Sequence, residues 1–184
     1  RRGYTVPGVQ KKLSLHLSSQ KHEKARLTLV GYPAGYILKP QTSDYPALPE
    51  AEHLVMQMAR LTGIKTVPFA LIRPTAKGEL AYITKRIDRG ANGEMVAMED
   101  FCQLDLRLTA DKYKGSYERC GKIVSQYSVN PGLDMAELFL RIVFSFAVGN
   151  SDMHLKNFSL IETEAGNGVY RLSEAYDMLP VNII

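Results

Sequence analysis

The chain has 184 residues, enough for one compact domain or two small lobes that share a cleft. Its 23 basic and 19 acidic residues leave a net charge of +4, and the Lys and Arg are dispersed, so charge alone makes no case for direct nucleic-acid binding. Two cysteines without a CxxC spacing argue against a disulfide scaffold or a zinc site and make a reducing cytoplasm the expected location. No apolar run approaches the roughly 20 residues of a membrane span, so no membrane association is expected, and no signal peptide is visible. The chain opens on Arg1 and closes on Val181-Asn182-Ile183-Ile184 without a helix stop, so both ends read as cut.

Residues 12–18 alternate Leu13, Leu15 and Leu17 with Ser14, His16 and Ser18, the period of two that marks a half-buried strand. Residues 26–30 repeat the pattern with Leu27, Leu29 and Val30. Residues 31–35 carry turn chemistry, and Tyr36-Ile37-Leu38-Lys39 predicts a third strand closed by Pro40. The three are expected to form an antiparallel meander. Pro49-Glu50-Ala51-Glu52 opens a helix with acidic groups in its first turn, where the helix dipole favours them. Leu54, Val55, Met58, Ala59 and Leu61 give it an apolar stripe, and Gly63 ends it. Two more strands are predicted over 67–72 and 80–84, around a Pro-Thr-Ala-Lys-Gly turn.

The second half changes character. Short helices are predicted over 98–104 and 116–125. Residues 133–148 form the most apolar segment and predict a core helix buried on most sides, begun by Pro131 and Asp134 and ended by Gly149. Residues 157–161 and 169–172 predict a hairpin around Ala165-Gly166-Asn167-Gly168. The composition shift over 86–93 divides a sheet-rich half from a helix-rich half, an α+β pattern.

The candidate chemistry lies after the apolar helix. Gly149-Asn150-Ser151-Asp152-Met153-His154-Leu155-Lys156-Asn157 places an Asp and an Asn five residues apart, and Tyr176-Asp177 brings a second Asp later. Protein-kinase catalytic loops use this spacing: the Asp takes up the substrate hydroxyl proton, and the Asn and the later Asp bind Mg²⁺. A polar loop held by Asp and Asn turns is the plain alternative. Asn157 and Asp177 supply the oxygen donors that Mg²⁺ prefers. Lys39, alone after three apolar neighbours, is either a phosphate contact paired with a helix acid, Glu52, or a strand-end lysine reaching solvent. Gly8-Val9-Gln10 holds one glycine and reads as a phosphate-capping turn or a plain one. Thr84-Lys85-Arg86-Ile87-Asp88-Arg89 joins the halves, where an adenine would meet backbone groups and Asp88 a ribose; a charged solvated connector explains it equally. The polar segments 99–103 and 112–118 are accounted for by helix capping and loop packing.

Together these residues resemble the HipA-like serine/threonine kinases of bacterial toxin–antitoxin modules. The matching pieces are residues 5–12, 36–40, 84–89, 98–103, 112–118, 149–159 and 175–180, in the family order. The resemblance implies a two-lobed kinase-like fold with ATP and Mg²⁺ in the cleft. Residues 1–88 would be the N-lobe with the phosphate loop and the ATP lysine, and 89–184 a truncated helical C-lobe. Asp152 would be the catalytic base and His154 a support of its loop. Asn157 and Asp177 would hold the metal. Gly8, Val9, Gln10 and Lys39 would meet phosphates; Lys85 and Ile87 the adenine, through their backbone; Asp88 the ribose. The family's loop often bears an autophosphorylated serine, and Thr5 stands at that position here. Family substrates include aminoacyl-tRNA synthetases, and the implied partner is a HipB-like helix-turn-helix antitoxin, with DNA reached only through it. The family's N-terminal subdomain and the helices after Asp177 are not among these residues. A non-catalytic module that binds nucleotide or antitoxin, and a small-molecule phosphotransferase, remain as competing readings.

Overall fold

The computed structural model describes residues 11–18, 26–29, 34–76, 78–90 and 93–180. Thr5, Gly8, Val9 and Gln10 of the expected phosphate loop, most of the 31–35 turn and the last four residues lie outside them.

The first half is one antiparallel sheet of five strands: β1 (Leu13–Ser18), β2 (Arg26–Leu29), β3 (Tyr36–Pro40), β4 (Phe69–Ile72) and β5 (Ala81–Lys85). Their order is β2-β1-β3-β5-β4. The expected meander is therefore corrected: β1, not β2, is the middle strand of the first three, pairing Leu15 with Leu29 on one edge and Leu13 with Leu38 on the other. That arrangement puts β3 at the centre of the sheet, with Lys39 opposite Tyr82 of β5.

Helix α1 (Leu48–Leu61) follows β3 and starts with Pro at its first turn. Its buried positions are Leu48, Pro49, Glu52, Val55, Met56 and Ala59, while Leu54, Met58 and Leu61 are exposed. The predicted stripe was thus rotated by part of a turn. The reason is Glu52: hydrophobicity alone favours the Leu54–Leu61 side, but the helix turns a carboxylate inward to meet Lys39.

The second half holds a small sheet, β6 (Met98–Asp100), β7 (Ser159–Glu162) and β8 (Tyr170–Leu172), in that order. Helices α2 (Phe101–Leu104), α3 (Tyr117–Tyr127) and α4 (Pro131–Ala147) pack beside it. The helix expected over 98–104 is half strand. Met98–Asp100 pairs with β7, and Asp100 then caps α2 by accepting from the Gln103 N–H at 2.9 Å. Phe101, Cys120, Val124, Leu138, Phe158 and Leu160 form the core of this half.

Helix α4 is also less buried than its composition predicts. Leu138, Arg141, Phe144 and Ser145 point inward, at helical spacing, while Leu133, Phe139, Val143 and Phe146 are exposed. Only one face of α4 meets α3 and β8. Among the described residues no helix is long and apolar enough to cross a membrane.

A second core joins the halves. Val55, Met56 and Ala59 of α1 and Tyr82 of β5 pack with Phe144 of α4 and with Ala175 and Met178. Two backbone bonds fasten the same seam: Ala175 N–H to the Lys65 carbonyl at 2.7 Å, and Val67 N–H to the Ala175 carbonyl at 3.1 Å. The segment carrying Asp177 is thereby laid against the sheet that carries Lys39.

Candidate active site

Lys39 is 3 % exposed, on a central strand beneath α1. Its ammonium donates to Glu52 Oε1 at 2.6 Å and to Asp177 Oδ1. Lys12 approaches Asp177 Oδ2 at 3.5 Å. The solvent-reaching reading of Lys39 is therefore set aside, because both partners are buried or half-buried carboxylates. Burial opposes the Lys39 charge, but Asp177 and Glu52 outweigh it and hold the ammonium above the usual lysine range. Burial would also raise Asp177, yet Lys39 and Lys12 hold its carboxyl well below the usual range. Glu52 differs: burial outweighs Lys39, the Asp177 charge adds to it, and its carboxyl is pushed up to about 7.

Asp177 is held with φ at 59°, a left-handed backbone that non-glycine residues adopt at a cost. Tyr176, just before it, is anchored through its hydroxyl to Ser159 at 2.5 Å and to the Lys156 carbonyl at 3.1 Å. Arg141 of α4 reaches the Ser173 carbonyl at 2.7 Å and Glu137 at 2.9 Å. Three elements thus fix the approach to Asp177.

The loop after α4 is built from its own polar groups. Gly149 turns the chain at a φ of 69°, and Asn150 N–H bonds the Ser145 carbonyl at 2.9 Å. Asp152 N–H donates to Asn150 Oδ1 at 3.3 Å. Leu155–Asn157 form a single 3-10 turn whose Leu155 is buried. Across it His154 N–H donates to Asn157 Oδ1 and Asn157 N–H to the His154 carbonyl, both at 2.9 Å. His154 Nε2 faces Lys112 Nζ at 2.9 Å. A lysine has only donors, so the imidazole accepts there and is neutral. Burial and Lys112 lower its pKa, while the charges of Asp152 and Asp177 pull the other way.

At the connector, Lys85 N–H donates to the Pro68 carbonyl at 2.9 Å. Pro68 has no N–H to return the bond, so the sheet gives the Lys85 carbonyl no partner at that position. Ile87 packs against the second core. Asp88 accepts from Arg86 Nε at 2.8 Å and Arg89 Nη1 at 2.9 Å; burial would raise its carboxyl, but these cations keep it low.

The structure therefore brings together Lys39, Glu52 and Asp177, and separately Asp152, His154 and Asn157. Asp88 is turned onto two arginines. Two participants passed unread in the sequence: Lys112, on His154, and Tyr113, whose hydroxyl donates to Asp152. The polar density of 112–118 was the available signal. Beside them lies a cavity of about 230 Å³ lined by Tyr113, Tyr117, Cys120, Met153, His154 and Phe158 among others.

Among the described residues no group of three or more His, Cys, Asp or Glu side chains could cage a metal. Mg²⁺ needs none: it takes one or two protein oxygens and completes its shell with phosphate and water. Asn157 Oδ1 and the Asp177 carboxylate are oxygen donors of that kind.

A strand lysine paired with a helix glutamate, over a helical half carrying an Asp-x-x-x-x-Asn loop, is the two-lobed α+β architecture of a kinase-like protein. The family model of the HipA-like C-terminal domain matches residues 4–184, and the chain belongs to that family. A Sinorhizobium fredii protein named "Putative kinase Y4dM" is 34% identical over 187 residues, which cover 96% of this chain and 44% of that protein. A Haemophilus influenzae protein designated "Putative kinase" is 30% identical, over 98% of this chain and 53% of its own. The chain spans about half the length of the curated relatives it matches. Among solved structures, HipA of the Shewanella oneidensis toxin–antitoxin system, in complex with HipB and operator DNA, matches with a TM-score of 0.78 at 22% identity, covering 99% of this chain and 45% of that one. The Helicobacter pylori proinflammatory kinase CtkA matches with a TM-score of 0.61 at 17% identity, over 83% of this chain and 53% of its own.

Proposed function

We propose that this chain carries the catalytic centre of an ATP-dependent serine/threonine protein kinase of the HipA type. The observation that carries the reading is the bonding of one buried ammonium, Lys39, to both Glu52 and Asp177. In kinases the strand lysine must be paired with its helix glutamate and the metal-binding Asp must be in place together.

In this reading Asp152 takes the proton of the acceptor hydroxyl. Lys39, held by Glu52, meets the phosphates as a fixed charge that needs no reorganisation. Asn157 and Asp177 hold Mg²⁺, which when bound neutralises charge on the phosphates. The His154 backbone fixes Asn157, and Lys112 occupies the lone pair of the His154 ring, which leaves Asp152 as the proton acceptor. The Lys85 carbonyl, without a sheet partner, accepts from the adenine amino group, beside Ile87. Asp88 meets the ribose while sharing its oxygens with Arg86 and Arg89. Gly8, Val9 and Gln10 cover the phosphates, and Thr5 is the position for self-modification. Residues 1–88 serve the nucleotide and 89–184 the transfer.

The acceptor is a protein hydroxyl, for which the family resemblance suggests an aminoacyl-tRNA synthetase. The HipB and operator DNA of the Shewanella complex support a helix-turn-helix antitoxin as partner, with DNA reached through it. The cytoplasm is the compartment in which such partners meet. The test is transfer of labelled γ-phosphate with Mg²⁺ into a bacterial lysate. A labelled band that is lost with Asp152→Ala supports the reading; label equal in both preparations contradicts it.

A further inference from the structure

Tyr113 donates its phenol O–H to Asp152 Oδ1. The contact is fixed by more than the two side chains. Leu155 N–H bonds the Lys112 carbonyl at 3.2 Å, and Lys112 Nζ lies 2.9 Å from His154 Nε2. The Tyr113 and His154 rings meet edge to face with centroids 5.1 Å apart. Gly115 comes so close that a Cβ there would stand 2.6 Å from Leu155 Cδ2, on a side chain that is itself buried. Lys114 closes the segment on itself, 2.6 Å from Asp111. The strap over residues 111–116 is therefore held in register with the catalytic loop by its backbone, and the phenol is placed by that register.

A carboxylate free to rotate about its last torsion presents either oxygen in many directions. Pinning one oxygen fixes the other, as the third member of a catalytic triad fixes its base. Among the described residues Tyr113 is the hydrogen-bond donor to the Asp152 carboxylate, and it uses only Oδ1.

We propose that Tyr113 is a positioning residue for phosphoryl transfer, holding Asp152 Oδ1 so that Oδ2 faces the acceptor hydroxyl. The inference rests on the kinase reading above. In the step, the acceptor oxygen forms its bond to the γ-phosphorus as its proton passes to Asp152 Oδ2. The bond from the γ-phosphorus to the bridging oxygen breaks, and ADP leaves with that electron pair. Tyr113 keeps its own proton throughout.

The test uses Tyr113→Phe, which removes one oxygen and keeps the ring on His154. The expected result is a kcat lowered about tenfold with KM for ATP unchanged, since misorientation of a catalytic group costs rate rather than ground-state binding. Unchanged kcat overturns the proposal. So does a raised kcat/KM for the acceptor, which would make Tyr113 a plug that the acceptor displaces. A second readout does not depend on turnover. The Asp152 bond, with burial and the carboxylate charge, pushes the Tyr113 phenol up to about 12; Lys112 Nζ lies 4.7 Å from the ring centroid. NMR titration of labelled tyrosine should show this value falling in Asp152→Asn. An ordinary phenol in the wild type, unmoved by Asp152→Asn, overturns the pairing. A wild type without transfer but with the raised, Asp152-dependent phenol removes the kinase reading and the assigned role together, while leaving the pair established.

Discussion

Lys39 and Asp177 stand 138 positions apart in the chain and share a hydrogen bond in the fold. The bond links the centre of the five-stranded sheet to the segment that leaves the helical half. It lies beside the seam that the Lys65 and Ala175 backbones close, and Glu52 of α1 shares the same ammonium. Lys39 therefore registers the correct assembly of both halves as well as serving the proposed chemistry.

Replacing that lysine should affect stability as well as activity. Lys39→Met leaves two carboxylates without their shared cation, and breaking a buried pair by removing one partner costs about 3 kcal/mol or more. For a chain of this size the melting temperature should fall by about 10 °C. Adding Glu52→Gln should recover part of the loss, because the neutral amide needs no cation. Thermal unfolding followed by circular dichroism, on the single and double variants, checks both.

Glu52 also sets a pH dependence. Its carboxyl is raised in the fold to about 7 by burial. The folded protein thus keeps a proton that the unfolded chain, with an ordinary glutamate, releases near pH 4.5. Stability must then fall as pH rises through this window, the folded state binding more protons. Asp177 has the opposite sign: its contribution is present above the ordinary aspartate range and is lost only in stronger acid. Urea unfolding across the window should show a decline in the wild type that is smaller in Glu52→Gln.

Asp177 allows charge to be separated from backbone. Its left-handed φ is one that asparagine tolerates better than alanine. Asp177→Asn should lose the stability that the Lys39 charge pair contributes and lose transfer by about a hundredfold or more, as expected when a group essential to charge stabilisation goes. Asp177→Ala should lose activity equally and melt lower than Asp177→Asn, by about 1 kcal/mol of backbone strain. Melts and transfer rates on the two variants decide it.

Arg141 offers a control away from the reacting groups. It is buried, charge-paired with Glu137 and bonded to the Ser173 carbonyl. Arg141→Ala should cost about 3 kcal/mol by stranding those partners and opening a cavity. Phe146 lies on the same helix but is 89% exposed, and Phe146→Ser should change stability by about 0.5 kcal/mol or less. Denaturant midpoints measured on both variants test the contrast.

Strand alternation located β1, β2 and β3 almost to the residue, but not the faces of β1: Leu15 is buried as expected, whereas Ser14 is buried too and Leu17 is exposed. It could not give their order, which depends on which edge of β1 the later strand finds. Hydrophobicity misled at α1 and α4 for related reasons. At α1 a carboxylate took a core position because Lys39 required it, and at α4 apolar composition did not translate into burial on every side. Asp100 shows a further limit: one residue ends a strand and caps a helix, and single-residue switches carry no periodic signal. In the site, the spacing of Asp152 and Asn157 and the pairing of Lys39 with Glu52 were legible. Tyr113 was not, since its role depends on a strap whose register only tertiary contacts fix.

In the proposed kinase, Asp152 acts in transfer and not in holding nucleotide. The most direct measurement is single-turnover transfer from Mg²⁺-ATP beside calorimetric nucleotide binding, on the wild type and Asp152→Ala. Nucleotide affinity should be similar in both, and the transfer rate at least about a hundredfold lower in the variant. Equal transfer rates, or a loss of transfer matched by an equal loss of nucleotide affinity, would contradict it.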